Sequence, residues 1–131
     1  MTDGRIRSAS PFESSYGFCR ALRRGDRIEV AGTAPIPQDG SDVPDDAYRQ
    51  MLLCGEIALG AIERLGGEVT DVVRTRMYIV DASDADEVGR AHGEVFGAAE
   101  PVATMVVVAG LLDPRWRVEI EVEAVIGSPR S

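Results

Sequence analysis

The strongest constraint on the fold is a stretch of strict alternation between charged and apolar residues near the end of the sequence. Over residues 115–124, RWRVEIEVEA, every odd position is charged and every even position is apolar. Side chains alternate between the two faces of a β-strand, so the pattern predicts a strand with one apolar face and one charged face. An unpaired buried carboxylate is too costly to persist. The charged face must therefore meet water, opposite charge or a polar site.

A second strand is predicted just before this one. Residues 102–109, VATMVVVA, alternate in the same manner, and a short turn-like segment separates the two runs, which favours a β-hairpin or a pair of neighbouring strands. Arg74 and Arg76 lie on another predicted strand, where they could pair with Glu119 and Glu121 across the sheet. With such pairing the charged face would be a salt-bridged surface without a catalytic or binding role. The alternative is that the charged face lines a polar site.

The other predicted elements alternate between strands and helices. Strands are predicted at residues 16–22, 27–32 and 69–80, and amphipathic helices at residues 45–65 and 83–96. Within the third of these strands, Val73, Met77 and Ile79 are expected on one face. Apolar residues do not recur at a regular spacing in residues 1–14, which predicts a loosely held terminus or an irregular first strand. The order ββαβαββ indicates an α+β fold, one mixed sheet with two helices on one face, whose other face is covered by sister subunits or by solvent.

Composition limits the class of protein. A chain of 131 residues is expected to form a single domain over residues 1–131. The net charge of −8 argues against nucleic acid as a partner, and the absence of Lys excludes Schiff-base chemistry. Cys19 and Cys54 are expected to be free thiols in a reducing cytosol, and no apolar run reaches the roughly 20 residues that span a bilayer. The sequence therefore predicts a cytoplasmic protein that does not enter the membrane.

Few residues have the pattern of a known catalytic motif. His92 is the only histidine and falls on the apolar face of a predicted helix, so it is expected to pack rather than to bind a metal. Ser14, Ser15 and Thr33 lack the sequence context of an activated nucleophile. Gly66 and Gly67 follow a predicted helix instead of preceding one, so they do not form a phosphate-binding loop. No metal or cofactor site is predicted.

A resemblance to a known family is carried by two segments. Residues 30–37, VAGTAPIP, are similar to the SGQIP-type segment of the Rid family of reactive intermediate deaminases, also called YjgF or L-PSP endoribonuclease-like proteins, with Gly32 at the position of its Gly. The C-terminal signature of the family is matched in order and spacing by Pro101, Val106, Ala109, Leu111, Val118, Glu119 and Ile120. The resemblance extends over residues 16–124.

The resemblance implies both a fold and a chemistry. It implies a chorismate-mutase-like α+β fold, assembled as a homotrimer with a central barrel and with small-molecule clefts between subunits. Members of the family hydrolyse enamines and imines to a 2-oxo acid and ammonia, without metal or cofactor. An Arg fork holds the substrate carboxylate and a Glu positions or activates water, which suits the chemistry of both groups.

The sequence departs from the family at three pocket positions. Ala103 stands where the resemblance places the carboxylate-binding Arg, Met105 where it places a Cys, and Phe18 where it places a Tyr. Loss of the bidentate Arg removes charge-assisted contacts worth about 1.5–3 kcal/mol each. The standard deamination of 2-imino acids is therefore not expected of this chain.

The predicted site has Glu119 as its catalytic base, while a shift of the alignment in the short loop at residues 112–114 would place Glu121 there instead. Arg20, Arg74 or Arg76 is the candidate replacement for the missing guanidinium. The predicted substrate-binding residues are Phe18, Gly32, Thr33, Ala103, Met105, Arg20 and Glu121.

The predicted function is that of a cofactor-independent hydrolase or deaminase, or of a binder, acting on an enamine- or imine-type intermediate without a bound carboxylate. The alternative is a non-catalytic ligand-sensing or chaperone-like trimer. Ribonuclease activity fits poorly with the net charge of −8.

Overall fold

The computed structural model describes residues 3–127 and contains one six-stranded sheet. Its strands are β1 (Asp3–Ile6), β2 (Ala21–Arg24), β3 (Arg27–Thr33), β4 (Val72–Ile79), β5 (Val102–Val107) and β6 (Val118–Val125). The spatial order is β1-β2-β3-β6-β4-β5. The β4–β5 pair is parallel and the other pairs are antiparallel, so the sheet is mixed, as the sequence predicts.

The helices are α1 (Phe12–Tyr16), α2 (Ala47–Arg64) and α3 (Ala85–Phe96), with short 3-10 helices at Val69–Asp71 and Ala82–Asp84. Asp46 caps α2 by accepting a hydrogen bond from the Arg49 backbone N–H at 2.7 Å, which satisfies one of the free donors of the first turn. The apolar sides of α2 and α3 pack on the same face of the sheet and form the core with it. The predicted α+β fold with two helices on one face is confirmed.

The alternation in β6 has the predicted consequence for burial. Its even-numbered residues, Val118, Ile120, Val122 and Ala124, are all buried under the helices. Apolar burial contributes about 25 cal/mol per Å² removed from water, so this row is a major part of the core. Glu119, on the opposite face, is only half-buried.

The prediction that the last two strands form a hairpin or are neighbours is wrong. β5 pairs only with β4, while β6 lies between β3 and β4. A parallel pair needs a long crossover, which α3 supplies, and this connection places β5 on the outer edge of β4. The antiparallel position on the other side of β4 is then taken by β6. Periodicity along a strand identifies its faces but not its partners.

Two predicted strand boundaries and one predicted strand face are also wrong. Residues 16–22 are not one strand, because α1 ends at Gly17 in a left-handed conformation with φ of 77° and strand pairing starts at Ala21. Part of the segment 1–14 forms β1, which matches the first-strand alternative. Strand β6 starts at Val118 rather than at residue 115. Val73 is exposed because the register shifts between Val72 and Arg74, which turns its side chain away from the core.

The face of the sheet away from α2 and α3 carries a network of charges. Glu123 accepts hydrogen bonds from Arg76 and Arg27, both at 2.9 Å, and Tyr78 donates to Glu121. Arg76 therefore pairs with Glu123, although Glu121 is its register partner. Beside this network the side chains of Val102 and Val106 on β5 are 58% and 42% exposed. No helix within residues 3–127 has the length and apolar character needed to cross a membrane.

Candidate functional site

A cavity of about 90 Å³ opens beside the start of β6. Its walls come from α1, from the chain that follows β3 and from the segment that precedes β6. Of the predicted site residues, it brings together Phe18, Arg20, Gly32, Thr33 and Glu119. These residues come from three separate segments of the sequence, and the pairing of β3 with β2 on one side and with β6 on the other brings them to one place.

Glu119 supplies a carboxylate to this cavity. Burial raises the pKa of Glu119; the nearby Arg20 opposes the rise and Glu121 adds to it. No side chain or backbone N–H in the described part of the chain donates a hydrogen bond to the Glu119 carboxylate. The carboxylate lies so close to Gly32 that a Cβ at position 32 would collide with Oε2. Gly32 therefore creates the space in which this carboxylate can lie.

Arg20 is buried behind Glu119 and forms an ion pair. Its Nε lies 3.3 Å from Oε2 of Glu13, and both side chains are only 4% exposed. Its Nη1 donates to Oγ1 of Thr33 at 3.0 Å and to the carbonyl of Gly32. Glu13 in turn accepts hydrogen bonds from the backbone N–H and the hydroxyl of Ser8. The guanidinium thus holds the end of β3 in place, and its charge is matched by Glu13.

Aromatic rings form much of the remaining wall. Phe12 stacks on Tyr16 with ring centroids 5.4 Å apart and meets Trp116 edge-on at 6.1 Å. The ring of Phe18 lies under the Arg20 guanidinium at 5.6 Å. Such arrangements are favourable beyond the area they bury.

Trp116 is held in place from α2. The buried Gln50 donates to the carbonyl of Arg115 at 2.9 Å and accepts from the N–H of Arg117 at 2.7 Å. Both neighbours of Trp116 are thereby fixed, which also explains why β6 starts only at Val118. The indole Nε1 is buried, and in residues 3–127 it has no hydrogen-bond partner.

The remaining predicted site residues lie elsewhere. Ala103 and Met105 are on the edge strand β5, and Ala103 is in register with Thr75, which faces the helices. Glu119 lies on the opposite face of the sheet, so one chain does not bring it together with Ala103. Glu121 does not line the cavity and is bonded to Tyr78.

The three candidate replacement arginines are also separated from Ala103. Arg74 and Arg76 are in register with Val102 and Thr104, on the face of the sheet away from Ala103. Arg20 directly precedes β2, which lies near the opposite edge of the sheet from β5. None of the three side chains is placed within one chain to substitute for an Arg at position 103.

The other reactive side chains lie outside the cavity. His92 contacts Oγ1 of Thr75 through Nε2 at 2.7 Å and packs against Phe96, as expected for a packing residue, and burial lowers its pKa. Cys54 is buried in the core, and this burial raises its pKa far above the usual range. Among the residues that the structure describes, no group of three His, Cys, Asp or Glu side chains is placed to hold a metal ion.

Three residues that shape the cavity were not identified from the sequence. Glu13 and Gln50 are polar residues buried by specific partners, and Trp116 was assigned to a strand. For Gln50 the sequence contains a signal, since this polar residue lies three residues after Ala47 and four before Cys54, on one side of a helix. For Glu13 the sequence contains no such signal, because its partner Arg20 falls within the predicted strand 16–22, of which only the end is a strand.

The fold and the cavity define an α+β protein with a small cavity beside the central strands β3 and β6 of a mixed sheet. The model of the Endoribonuclease L-PSP family matches residues 8–126, so the chain belongs to this family, the YjgF or Rid family that the sequence resembles. The crystal structure of Rv2704 from Mycobacterium tuberculosis, a member of the YjgF/YER057c/UK114 family, is similar with a TM-score of 0.85 and 39% identity, covering 95% of this chain and 99% of that one.

Two further relatives are similar over most of their length. An uncharacterized protein of Streptomyces coelicolor, SCO2049, is 42% identical over 95% of this chain and 92% of its own. A RutC family protein of Pyrococcus abyssi is 32% identical over 82% of this chain and 84% of its own. Membership of the family supports a small-molecule enzyme or binder.

Proposed function

We propose that this protein hydrolyses a small enamine- or imine-type intermediate that carries no bound carboxylate, with Glu119 as the base that activates water. The observation that carries the proposal is the Glu119 carboxylate itself, which lines a cavity and receives no hydrogen bond in the described part of the chain. A carboxylate with free lone pairs can accept a proton from water, and a raised pKa makes it a better base near neutral pH.

The reaction needs one group that first accepts a proton and then passes protons to nitrogen. Glu119 takes a proton from a water molecule as the water oxygen bonds to the carbon of the protonated C=N group, and the π electrons pass to nitrogen and neutralise it. The protonated Glu119 then gives this proton to the nitrogen of the carbinolamine. As the hydroxyl oxygen forms C=O the C–N bond breaks, and Glu119 carries the hydroxyl proton to the departing nitrogen. The products are a carbonyl compound and ammonium or an alkylammonium ion, and Glu119 is restored to its ionised form.

The preference for a substrate without a carboxylate follows from the arginines. Ala103 offers no charge at the position where the family resemblance places the carboxylate-binding Arg. Arg20, the arginine that lines the cavity, is already paired with Glu13 at 3.3 Å. A substrate carboxylate would therefore enter beside Glu119 without a free cation to meet it, which is unfavourable.

The assembly is proposed to be a homotrimer, as the family resemblance implies. Supporting this, the sheet face without helix cover in one chain carries the exposed Val102 and Val106. Sister subunits would remove these side chains from water. Light scattering on the purified protein measures the mass, which should be three times 14.1 kDa. A Val106→Asp variant should shift the population towards the monomer.

The function is tested by following ammonia release above the uncatalysed rate for an imine and an enamine generated in situ. One is the imine of a short aliphatic aldehyde, and the other is 2-aminoacrylate, which has a carboxylate. The wild type should accelerate only the first, and Glu119→Gln should abolish this acceleration. In the proposed trimer, where position 103 of a sister subunit would face the cavity, the Ala103→Arg variant should gain activity on 2-aminoacrylate. Equal wild-type activity on both substrates, or full activity of Glu119→Gln, would contradict the proposal.

A non-catalytic ligand-sensing trimer is the second candidate. It would be favoured by a purely apolar pocket, whereas this cavity encloses the carboxylate of Glu119. Ligand binding without acceleration of either substrate would support this second candidate.

A further inference from the structure

The cavity around Glu119 carries one more negative charge than its cation can balance. The charged side chains that meet there are Glu13, Arg20 and Glu119. Arg20 is an ion-pair partner of Glu13 and donates to the carbonyl of Gly32 and the hydroxyl of Thr33. One positive charge thus faces two carboxylates, and the second of these, Glu119, receives no hydrogen bond from residues 3–127.

The aromatic walls of the same cavity suit a cation. Phe12, Tyr16 and Trp116 line it and contact one another through ring centroids 5.4 and 6.1 Å apart. The face of an aromatic ring attracts a cation, most strongly where water is excluded. Phe18 already has the Arg20 guanidinium at 5.6 Å, while no cation of the described residues contacts the other three rings.

The volume limits what can be enclosed. An apolar cavity of roughly 150 Å³ holds benzene, with its six carbon atoms. The cavity here measures about 90 Å³, so it encloses a group of about four non-hydrogen atoms. A short branched alkyl group with one nitrogen has this size.

From the unmatched carboxylate, the aromatic walls and the volume, we infer that the cavity selects a small organic cation, namely an alkyl iminium or a primary alkylammonium. Its nitrogen lies at Glu119, and its alkyl part lies against Phe12, Tyr16 and Trp116. The identification of the iminium as the substrate rests on the proposed function, whereas the selection for positive charge does not. The protonated imine is also the form that water attacks most readily, so recognition and reaction favour the same species.

The test is an equilibrium titration that uses no turnover. Trp116 is the single tryptophan of the sequence, so its fluorescence reports on this cavity. The probes are isopropylammonium, isopropanol and isobutyrate, compared at constant ionic strength. Isopropylammonium should bind at least about tenfold more tightly than the other two, since hydrogen bonds to charged groups are that much stronger than to neutral ones.

Two variants assign the preference to the cavity. Glu119→Gln keeps the shape but removes the charge, and it should weaken isopropylammonium binding by about tenfold or more. Phe12→Leu keeps an apolar wall but removes the ring. It should weaken the binding of isopropylammonium severalfold and leave the affinity for isopropanol unchanged. Glu63→Gln, a change at an exposed position of α2, is the matched control and should bind like the wild type. Thermal unfolding of each variant verifies that it is folded.

The outcomes separate this inference from the proposed function. Ammonium binding without imine hydrolysis would uphold the cation site and remove the proposed reaction. Imine hydrolysis with tighter binding of isobutyrate or isopropanol than of isopropylammonium would overturn the cation site alone. If none of the three probes changes the Trp116 fluorescence, and none shows binding in a proton NMR titration, the cation site is overturned as well.

Discussion

The Glu119 carboxylate lies directly over Gly32, at a distance that leaves no room for a side chain at position 32. The two residues are on neighbouring strands, and the register of β3 shifts between Val30 and Thr33 at this point. The backbone at Gly32 is not in the left-handed region, so glycine is needed here for space and not for its conformation.

A Gly32→Ala variant should lose activity without losing stability. The added methyl group would meet the end of a flexible side chain, which can swing away at an expected cost below about 1 kcal/mol. The carboxylate would leave its position, however, and both imine hydrolysis and isopropylammonium binding should fall by about tenfold or more. Thermal unfolding and the fluorescence titration measure the two effects. Unchanged binding would show that the position of the carboxylate is unimportant.

Gly89→Ala is the matched control for this change. Gly89 is an exposed residue of α3, and a Cβ there meets nothing within 4 Å. Alanine is favoured over glycine in a helix by about 1 kcal/mol, so this variant should be more stable than the wild type and equally active.

Glu119→Gln should raise the melting temperature at neutral pH. Because burial raises the pKa of Glu119, the folded protein holds a proton that the unfolded chain has released between the ordinary and the raised pKa values. Stability therefore falls as the pH rises through this window and stays lowered above it. The gain from the substitution should be a few degrees at about pH 7 and should vanish at about pH 3, below the ordinary glutamate pKa. An equal gain at both pH values would refute this electrostatic origin.

Breaking the buried ion pair should be strongly destabilising. Arg20→Met leaves the Glu13 carboxylate without its cation at 4% exposure, and such losses amount to about 3–5 kcal/mol. The double variant Arg20→Met with Glu13→Gln should lose much less free energy of unfolding than the two single variants lose in sum. Denaturant unfolding measures this coupling. For comparison, Arg49→Met breaks an exposed pair with Asp46 and should lose less than about 1 kcal/mol.

The two cysteines should differ in reactivity. Cys54 is buried and burial raises its pKa, so little thiolate is present and access is closed. Cys19 is only partly buried. In the native protein a thiol reagent such as an aromatic disulfide should modify one cysteine, and in denaturant it should modify two. The Cys19→Ser variant should show no native reaction, and rapid native modification of that variant would contradict the burial of Cys54.

Much of the fold could be predicted because it depends on patterns along the chain. The alternation at residues 118–124 and the helical spacing of Met51, Ala58 and Ile62 each reflect burial on one face, and both were confirmed. Strand partners could not be predicted, since β5 and β6 have similar patterns and only the crossover through α3 separates them. The short helix α1 was missed because its five residues have too few turns for a periodic signal.

The sequence by itself determined the family, the faces of the strands and the presence of Glu119 and Gly32 in two matched segments. Tertiary structure alone decided which residues share the cavity. It brought Arg20, Gly32 and Glu119 together, and it placed Ala103 and Met105 on the other face of the sheet. The physical reason is that a spacing along one chain reports the direction of a side chain, whereas a site depends on the register between strands and on close contacts such as that of Glu119 with Gly32.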